Sequence, residues 1–501
     1  IQLARSGATW ARRPSCNPMA WGAGRASNAA TDFAFDARLA ARAEEDARLG
    51  RALVEPPDDR SARRTFTRPQ IACAALLFAL LAGAWVFFWR ETSAALHAAA
   101  LFLFSCAIGL RFFAAFASLA PIPPSRARWA RPLPVYSLLC PLYREADIAP
   151  AFVENLKRLD YPAHLLDVKL VLEEDDVETI AVLEGLALGP GFEILIVPPD
   201  GPRTKPKALN YALAFARGDF VAVYDAEDAP HPGQLKAALD AFAAGGEALA
   251  CVQAPLLIDN AGESWIASQF AAEYAIQFKA VLPFLARLEL PLPLGGTSNH
   301  FRAKTVRSCG GWDAYNVTED ADLGYRLARE GWLTDVIDAP TWEEAPIAFK
   351  AWLKQRTRWI KGHMQTWLVL MRAPARVARE MCWPAFASMQ LILLGGVVAA
   401  FAHAPIALVV AVSLLTPLEL LAEIDLALAA AGYVAAFYSA LTVAALMRDA
   451  RVARAALTMP LYWPLASLAA LCALYELLVC PQRWNKTEHG VSQARPARPA
   501  L

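Results

Sequence analysis

The sequence predicts an α/β domain of the parallel-sheet kind inserted between transmembrane α-helical segments. Three observations carry that reading. Apolar residues make up 56% of the chain and charged ones 19%, too apolar for a purely soluble protein and too charged for one wholly inside a membrane. The long apolar runs gather at the two ends of the chain. The middle instead alternates short apolar runs with amphipathic stretches of helix length.

Residues 1–69 are rich in Ala and Arg with Pro and Ser, lack the apolar core of a signal peptide, and are expected to be a flexible cytoplasmic extension. Within 70–121, the runs 71–89 and 94–120 are each long enough to cross about 30 Å of hydrocarbon as a helix. Arg60, Arg63, Arg64 and Arg68 precede the first run, and Arg126, Arg128 and Arg131 follow the second. Only Arg90 lies between them, so the positive-inside rule places everything after Arg126 in the cytoplasm. Arg111 sits within the second run, where it either faces protein or snorkels.

Across 132–346 the runs 134–143, 168–174, 192–198 and 220–225 are short and almost continuously apolar, as strands buried on both faces of a parallel sheet are. Residues 347–380 read as a basic amphipathic helix at the membrane interface. The apolar runs then resume over 383–480 as 383–402, 404–421, 426–447 and 457–480, followed by a cytoplasmic tail at 481–501. Basic stretches at 372–379, 448–454 and 483–486 share one side only if an even number of crossings separates each pair. Three runs and then one break that parity, so one run is expected to be re-entrant or interfacial. Equal counts of 48 basic and 48 acidic residues give no sign of nucleic-acid binding. Nine cysteines without a C-x-x-C pair argue against a disulfide framework and a zinc cluster.

In sheets of this kind ligands bind beyond the carboxyl ends of the strands. Those ends carry Tyr143-Arg144-Glu145, then Glu173, Glu174, Asp175 and Asp176, then Asp225-Ala226-Glu227-Asp228. Asp225 and Glu227, two apart in extended chain, point to one side and can hold one metal, with Asp228 next door. Oxygen ligands alone favour Mg or Mn. A solvated acidic turn is the competing account. Thr318-Glu319-Asp320-Ala321-Asp322 opens a helix, whose N-terminus explains a Thr cap and one acid but not the match with the earlier acidic strand end. Lys205 and Lys207 open another helix and suit phosphate, although solvated lysines are the plainer account. On the amphipathic helix lie Gln355, Arg358 and Trp359, of which Arg358 can meet a diphosphate and Trp359 can stack on a sugar.

Each motif is weak alone, but their order is not. "PLYRE", "LEEDD", "KPKALNYAL", "YDAEDAP", "TEDADLGYRL" and "QRTRW", set between membrane segments, resemble the membrane-bound processive branch of family 2 glycosyltransferases, which includes cellulose, hyaluronan and curdlan synthases. "LGGTSNHFR", "GGWDAYNVTEDADLG" and "RTRWIKGHMQTW", with "RWNKTEHG" near the C-terminus, look closer to bacteriophage adsorption protein B-like members. The resemblance implies a GT-A fold, a Rossmann-like nucleotide-sugar domain. It implies a nucleotide-sugar site at Tyr143, Glu145, Glu173, Glu174, Asp175, Lys207 and Asp225, with Mg or Mn held by Asp225 and Glu227 or Asp228. Asp320 would be the general base beside Glu319, with Gln355, Arg358 and Trp359 positioning acceptor and diphosphate.

The implied reaction is inverting transfer of a hexose from a UDP-sugar to a growing polysaccharide at the bacterial inner membrane. The enzyme would be multi-pass in the lipid bilayer, with a cytoplasmic catalytic domain and an envelope export partner protein. Two features depart from the family pattern: Asp225-Ala226-Glu227 stands for Asp-x-Asp, and Glu-Glu-Asp-Asp for Asp-Asp-Gly. Both keep carboxylate chemistry. Transfer of one sugar to a lipid carrier is the first rival, against which Gln-x-x-Arg-Trp speaks. A vestigial scaffold is a second, against which the retained carboxylates speak.

Overall fold

A computed structural model describes residues 55–120, 127–199, 201–416 and 421–484. Residues 1–54 of the expected extension, Arg126, and the tail from 485 with most of "RWNKTEHG" lie outside the described residues. The first apolar run forms α1 (Arg68–Phe87), started by a Thr67–Gln70 capping box. The second forms α2 (Trp89–Ser118). Residues 55–67 were assigned by sequence to a flexible extension, and the described part of it packs on the central domain instead. Ser61 Oγ donates to Asp313 Oδ1 (2.9 Å), the Ala62 N–H donates to Asp313 Oδ2 (2.5 Å), and Arg60 pairs with Glu330 (2.9 Å).

The central domain runs through β1 (Tyr136–Leu142), β2 (Leu166–Glu173), β3 (Phe192–Val197), α3 (Lys205–Phe215), β4 (Phe220–Val223) and β5 (Ala229–Pro230). It continues with β6 (Leu249–Gln253), β7 (Leu256–Ile258), α4 (Trp265–Ile276), β8 (Asn299–Arg302), α5 (Glu319–Arg329), β9 (Leu333–Val336) and β10 (Thr341–Glu343). The main sheet has the order β3-β2-β1-β4-β8-β6-β9. The first four strands are parallel, and β8 lies antiparallel to both its neighbours. Adjacent residues of each strand point to opposite faces. Leu139, Val171 and Val221 therefore enter one core with Leu209 and Trp312, while Leu138, Leu170 and Phe220 enter the other with Phe152 and Phe242. Two cores on two faces are why these strands read as unbroken apolar runs. The buried charges of β2 are satisfied internally, Lys169 Nζ lying 3.0 Å from Asp167 Oδ1, which also accepts from Arg217.

A second sheet, β5-β10-β7, was not anticipated. Its strands are two or three residues long, too short for any alternation to register in the sequence.

The amphipathic helix is α6 (Phe349–Leu370). Beyond it come α7 (Trp383–Leu415), α8 (Glu423–Met447) and α9 (Met459–Val479). Among the described residues, α1, α2, α7, α8 and α9 are long and apolar enough to cross a membrane, by length and composition. Runs 383–402 and 404–421 thus belong largely to one helix despite Pro405. Near that proline Ser467 of α9 inserts into the α7 hydrogen-bond ladder: its Oγ accepts from the Ala404 N–H (2.9 Å) and donates to the Ala400 carbonyl (2.7 Å). Both ends of α9 are tied to the central domain. Before its start, Gln269 donates to the Ala455 carbonyl (2.7 Å) and Trp265 to Thr458 Oγ1 (2.8 Å). At its end, Lys361 of α6 meets Glu476 (2.8 Å) and the Arg483 carbonyl (2.7 Å), and Gln365 donates to the Pro481 carbonyl (2.9 Å).

Replacing Ser467 by Ala leaves the Ala404 N–H without its relay. We expect a loss of about 1–3 kcal/mol, read as a lowered thermal midpoint in detergent, with Ser467→Thr closer to the parent.

Candidate active site

The carboxyl ends of β1, β2 and β4 open into a cavity of about 690 Å³. Of the residues singled out from sequence, Tyr143, Glu145, Glu173, Asp225, Glu227, Glu319, Asp320, Gln355, Arg358 and Trp359 all line it. Glu174 and Asp175 line a smaller adjoining cleft with Glu173, Pro199 and Arg203. Arg203 pairs with Asp175 (2.7 Å), and Tyr143 Oη donates to Asp175 Oδ2 (3.4 Å). Asp176 instead caps the following helix and accepts the Arg144 N–H (2.5 Å).

Lys207, expected in the nucleotide-sugar site, lies 3.4 Å from Glu173 and donates to the Pro198 carbonyl (2.6 Å). Lys205 occupies the central position. Its Nζ lies 2.5 Å from Asp225 Oδ1 and donates to the Gly296 carbonyl (2.6 Å). Burial alone would push its pKa down, but Asp225 and Glu319 outweigh that and raise it. Two residues apart at a helix start, the two lysines point to different sides, and only the fold decides which one meets Asp225.

Sequence left the second metal ligand open between Glu227 and Asp228. Glu227 lines the cavity. Asp228 is fully buried and braces the turn, its Oδ2 accepting the Asp225 N–H (2.7 Å) and the Thr297 hydroxyl. As a cavity ligand Asp228 is therefore corrected to a supporting residue. Burial, then Asp225 and Glu227, hold its carboxyl well above the usual range. Sequence reasoning missed Glu343 of β10, which lines the same cavity with its Oε1 buried and without a hydrogen-bond partner. Burial and the charges of Asp228, Glu227 and Asp225 raise its pKa too.

A divalent cation suits this corner, with Asp225 and Glu227 as the residues that would hold it. The donors are all oxygens, negative charge is in excess, and two buried carboxylate oxygens, Asp228 Oδ1 and Glu343 Oε1, lack a hydrogen-bond partner. Among the described residues no three acidic, His or Cys groups already converge on one point, and Lys205 covers Asp225. The carboxylates feel one another's charge without forming a ready-made cage. A cation would have to draw Asp225 away from Lys205.

Across the cavity, Asp320 sits in the first turn of α5 and accepts the Ala321 N–H (2.8 Å). A Cβ on Gly296 would lie 3.4 Å from its Oδ2, an ordinary van der Waals contact. Burial raises the Asp320 pKa against the opposing effects of the Ala321 N–H, Lys205 and Arg358. Burial and then the Asp320 charge push Glu319 up to about 8. Two adjacent buried acids resist ionising together.

Helix α6 is pressed onto the loop before α5. A Cβ on Gly362 would lie 2.3 Å from Thr318 Oγ1. The Val317 N–H donates to Gln365 Oε1 (3.2 Å), Asn316 donates to Thr366 Oγ1 (2.9 Å), and Arg358 donates to the Val317 carbonyl (3.3 Å). Gln355 Oε1 and Arg358 Nε are buried without partners. Trp484, another residue missed from sequence as a site residue, lines the cavity and lies against Arg358 (4.8 Å). Its signal was present in "RWNKTEHG".

Residues 134–362 match the family model described as "Glycosyltransferase like family 2". These residues form a family 2 glycosyltransferase domain with the GT-A mixed sheet. The chain is 26% identical over 242 residues to the probable glycosyltransferase YdaM of Bacillus subtilis, covering 46% of this chain and 56% of that protein. It is 28% identical over 241 residues to the beta-monoglucosyldiacylglycerol synthase of Trichormus variabilis, covering 47% and 50%. The chain thus spans about half the length of these curated relatives. A mannosyltransferase of Pyrobaculum calidifontis, solved with GDP-Man and Mn2+, superimposes with a TM-score of 0.48 at 20% identity, covering 76% of this chain and 98% of that one.

Gly362→Ala forces Thr318, and with it Glu319 and Asp320, away from α6. The expected result is a turnover at least about tenfold lower, the cost of misplacing a reacting group. Any donor-dependent release of nucleotide reads it, with circular dichroism confirming that the helices persist.

Proposed function

We propose that the protein is an inverting hexosyltransferase that uses a UDP-sugar to extend a growing polysaccharide from the cytoplasmic side of a bacterial inner membrane. The observation that carries this is one cavity with Asp225 and Glu227 on one wall and Asp320 on the other, continuing between α2, α7 and α9. The nucleotide would lie along Glu173–Asp175, with the diphosphate near Lys205 and Arg358. Asp320 takes the proton of the acceptor hydroxyl as its oxygen bonds the sugar C1. The bond from C1 to the diphosphate oxygen breaks on the opposite face, and UDP leaves with the electron pair. One displacement inverts the anomeric centre. A bound Mg or Mn would supply positive charge to the leaving diphosphate, and Asp225 and Glu227 would hold it. Gln355 and Trp359 border the acceptor side.

The attachment of both ends of α9 to the central domain fits the interfacial run that parity requires. Four crossing helices then leave the catalytic domain and residues 481–484 on one side. A second reading, transfer to a lipid acceptor, is favoured by the cavity's opening among apolar helices, and the named activity of the Trichormus relative accords with it.

UDP release by the purified protein in nanodiscs, from a panel of UDP-sugars with and without Mn and Mg, tests the reading. Asp320→Asn is expected to lower release about 10²–10⁴-fold. Release from no donor by a folded protein, with acceptor lipids present, would count against the reaction.

Asp225→Asn should weaken Mn binding, followed by electron paramagnetic resonance of the free ion, as well as activity. Unchanged Mn affinity would remove Asp225 from the metal site.

The base must be ionised, and burial raises the Asp320 pKa, so kcat/KM should climb with pH along an acid limb above the ordinary carboxylate range of about 4. A limb centred at or below 4 would argue for another base.

A further inference from the structure

The cavity does not end at the carboxylates. Ala107, Leu110 and Arg111 of α2 line it at helical spacing, as do Met459, Tyr462, Trp463 and Ala466 of α9. On α7 the lining reaches His403. The π-helical turns at Gln277–Val281 and Gln390–Leu394 also face it, and such turns often mark functional sites.

Arg111 lies seven residues before the end of a helix long and apolar enough to cross a membrane, about 10 Å from that end at 1.5 Å per residue. Its guanidinium makes no hydrogen bond or ion pair with any described residue. Its one aromatic contact is the Trp463 ring, 5.9 Å away. The acid whose charge reaches it, Glu273, is already paired with Arg356 and accepts the Tyr462 hydroxyl (2.9 Å). An unpaired cation at such a position is costly unless water or an anion meets it. Trp463 is itself stacked on Tyr433 (5.3 Å) and His403 (5.4 Å), which makes it a wall that holds Arg111 and not an open platform for a sugar. The surrounding lining is apolar, with Leu110, Ile392, Val397 and Ala399.

We propose that Arg111 binds the phosphate of a lipid phosphate that carries the acceptor, its apolar chain lying between α2, α7 and α9 and its hydroxyl-bearing end turned toward Asp320. The planar fork of arginine suits phosphate. The charge pattern orients the ligand, because the acidic end of the cavity repels a phosphate and Arg111 attracts one. The inference rests on the proposed transfer to a membrane-delivered acceptor and names the chemistry of that acceptor.

The test is equilibrium binding of radiolabelled farnesyl phosphate to the full chain in nanodiscs, with farnesol and inorganic phosphate as competitors. Saturable binding is expected, with farnesol competing at least about tenfold more weakly, a difference of about 1.4 kcal/mol. Arg111→Gln should lose about tenfold in affinity, and Arg111→Lys, which keeps the charge and controls for folding, should lose less. Equal binding by Arg111→Gln, or equal competition by farnesol, would overturn the proposal. Displacement by millimolar inorganic phosphate would also overturn it, making the site one for free anions. UDP release measured in the same nanodiscs separates the two readings: phosphate-dependent lipid binding without release from any donor leaves this site standing and removes the transferase reaction.

Discussion

The contact between α6 and the loop before α5 is the constraint on which the rest depends. Gly362 lets the helix backbone approach Thr318 with no side chain between them. Gln365, Thr366 and Arg358 then hold the backbone and Asn316 of that loop. The proposed base follows immediately, in the first turn of α5, so its position is inherited from a helix that also carries Gln355 and Trp359. Through Lys361 and Gln365 the same helix holds the end of α9. One helix thus links the loop that leads into the cavity carboxylates to the apolar helices.

Electrostatics set the second constraint. Asp225, Glu227, Asp228 and Glu343 gather at one corner, and Glu319 and Asp320 stand opposite, with Lys205 and Arg358 between. Burial first, and repulsion within the group second, make Asp228, Glu319 and Glu343 hold protons more tightly than usual. The arrangement is poised for added positive charge. A divalent cation between Asp225 and Glu227 would relieve it and would compete with Lys205 for Asp225.

Legibility followed the length over which each signal is written. Strands β1, β2 and β4 were readable because burial on both faces leaves almost continuous apolar runs, whereas β3 lies at the sheet edge and is partly exposed. Asp225, Asp320 and Gln355-x-x-Arg358-Trp359 were readable as residues of one cavity because they lie in contiguous motifs in a known order. Glu343 was not, since it sits on a three-residue strand of a sheet that exists only through pairing with segments about 85 and 110 positions earlier. Asp228 was misplaced because i, i+2 and i+3 acids in a turn are equivalent in sequence until Thr297 captures one of them.

The sequence by itself determined the class of domain, the apolar segments around it and most of the acidic residues of the cavity, because these depend on local composition and short motifs. Tertiary structure decided which lysine faces Asp225, which apolar helix has both ends tied to the domain, and that Arg111 opens onto the same cavity as Asp320. Those are questions of direction and of meeting. A side chain's direction is settled only when distant segments pack against it.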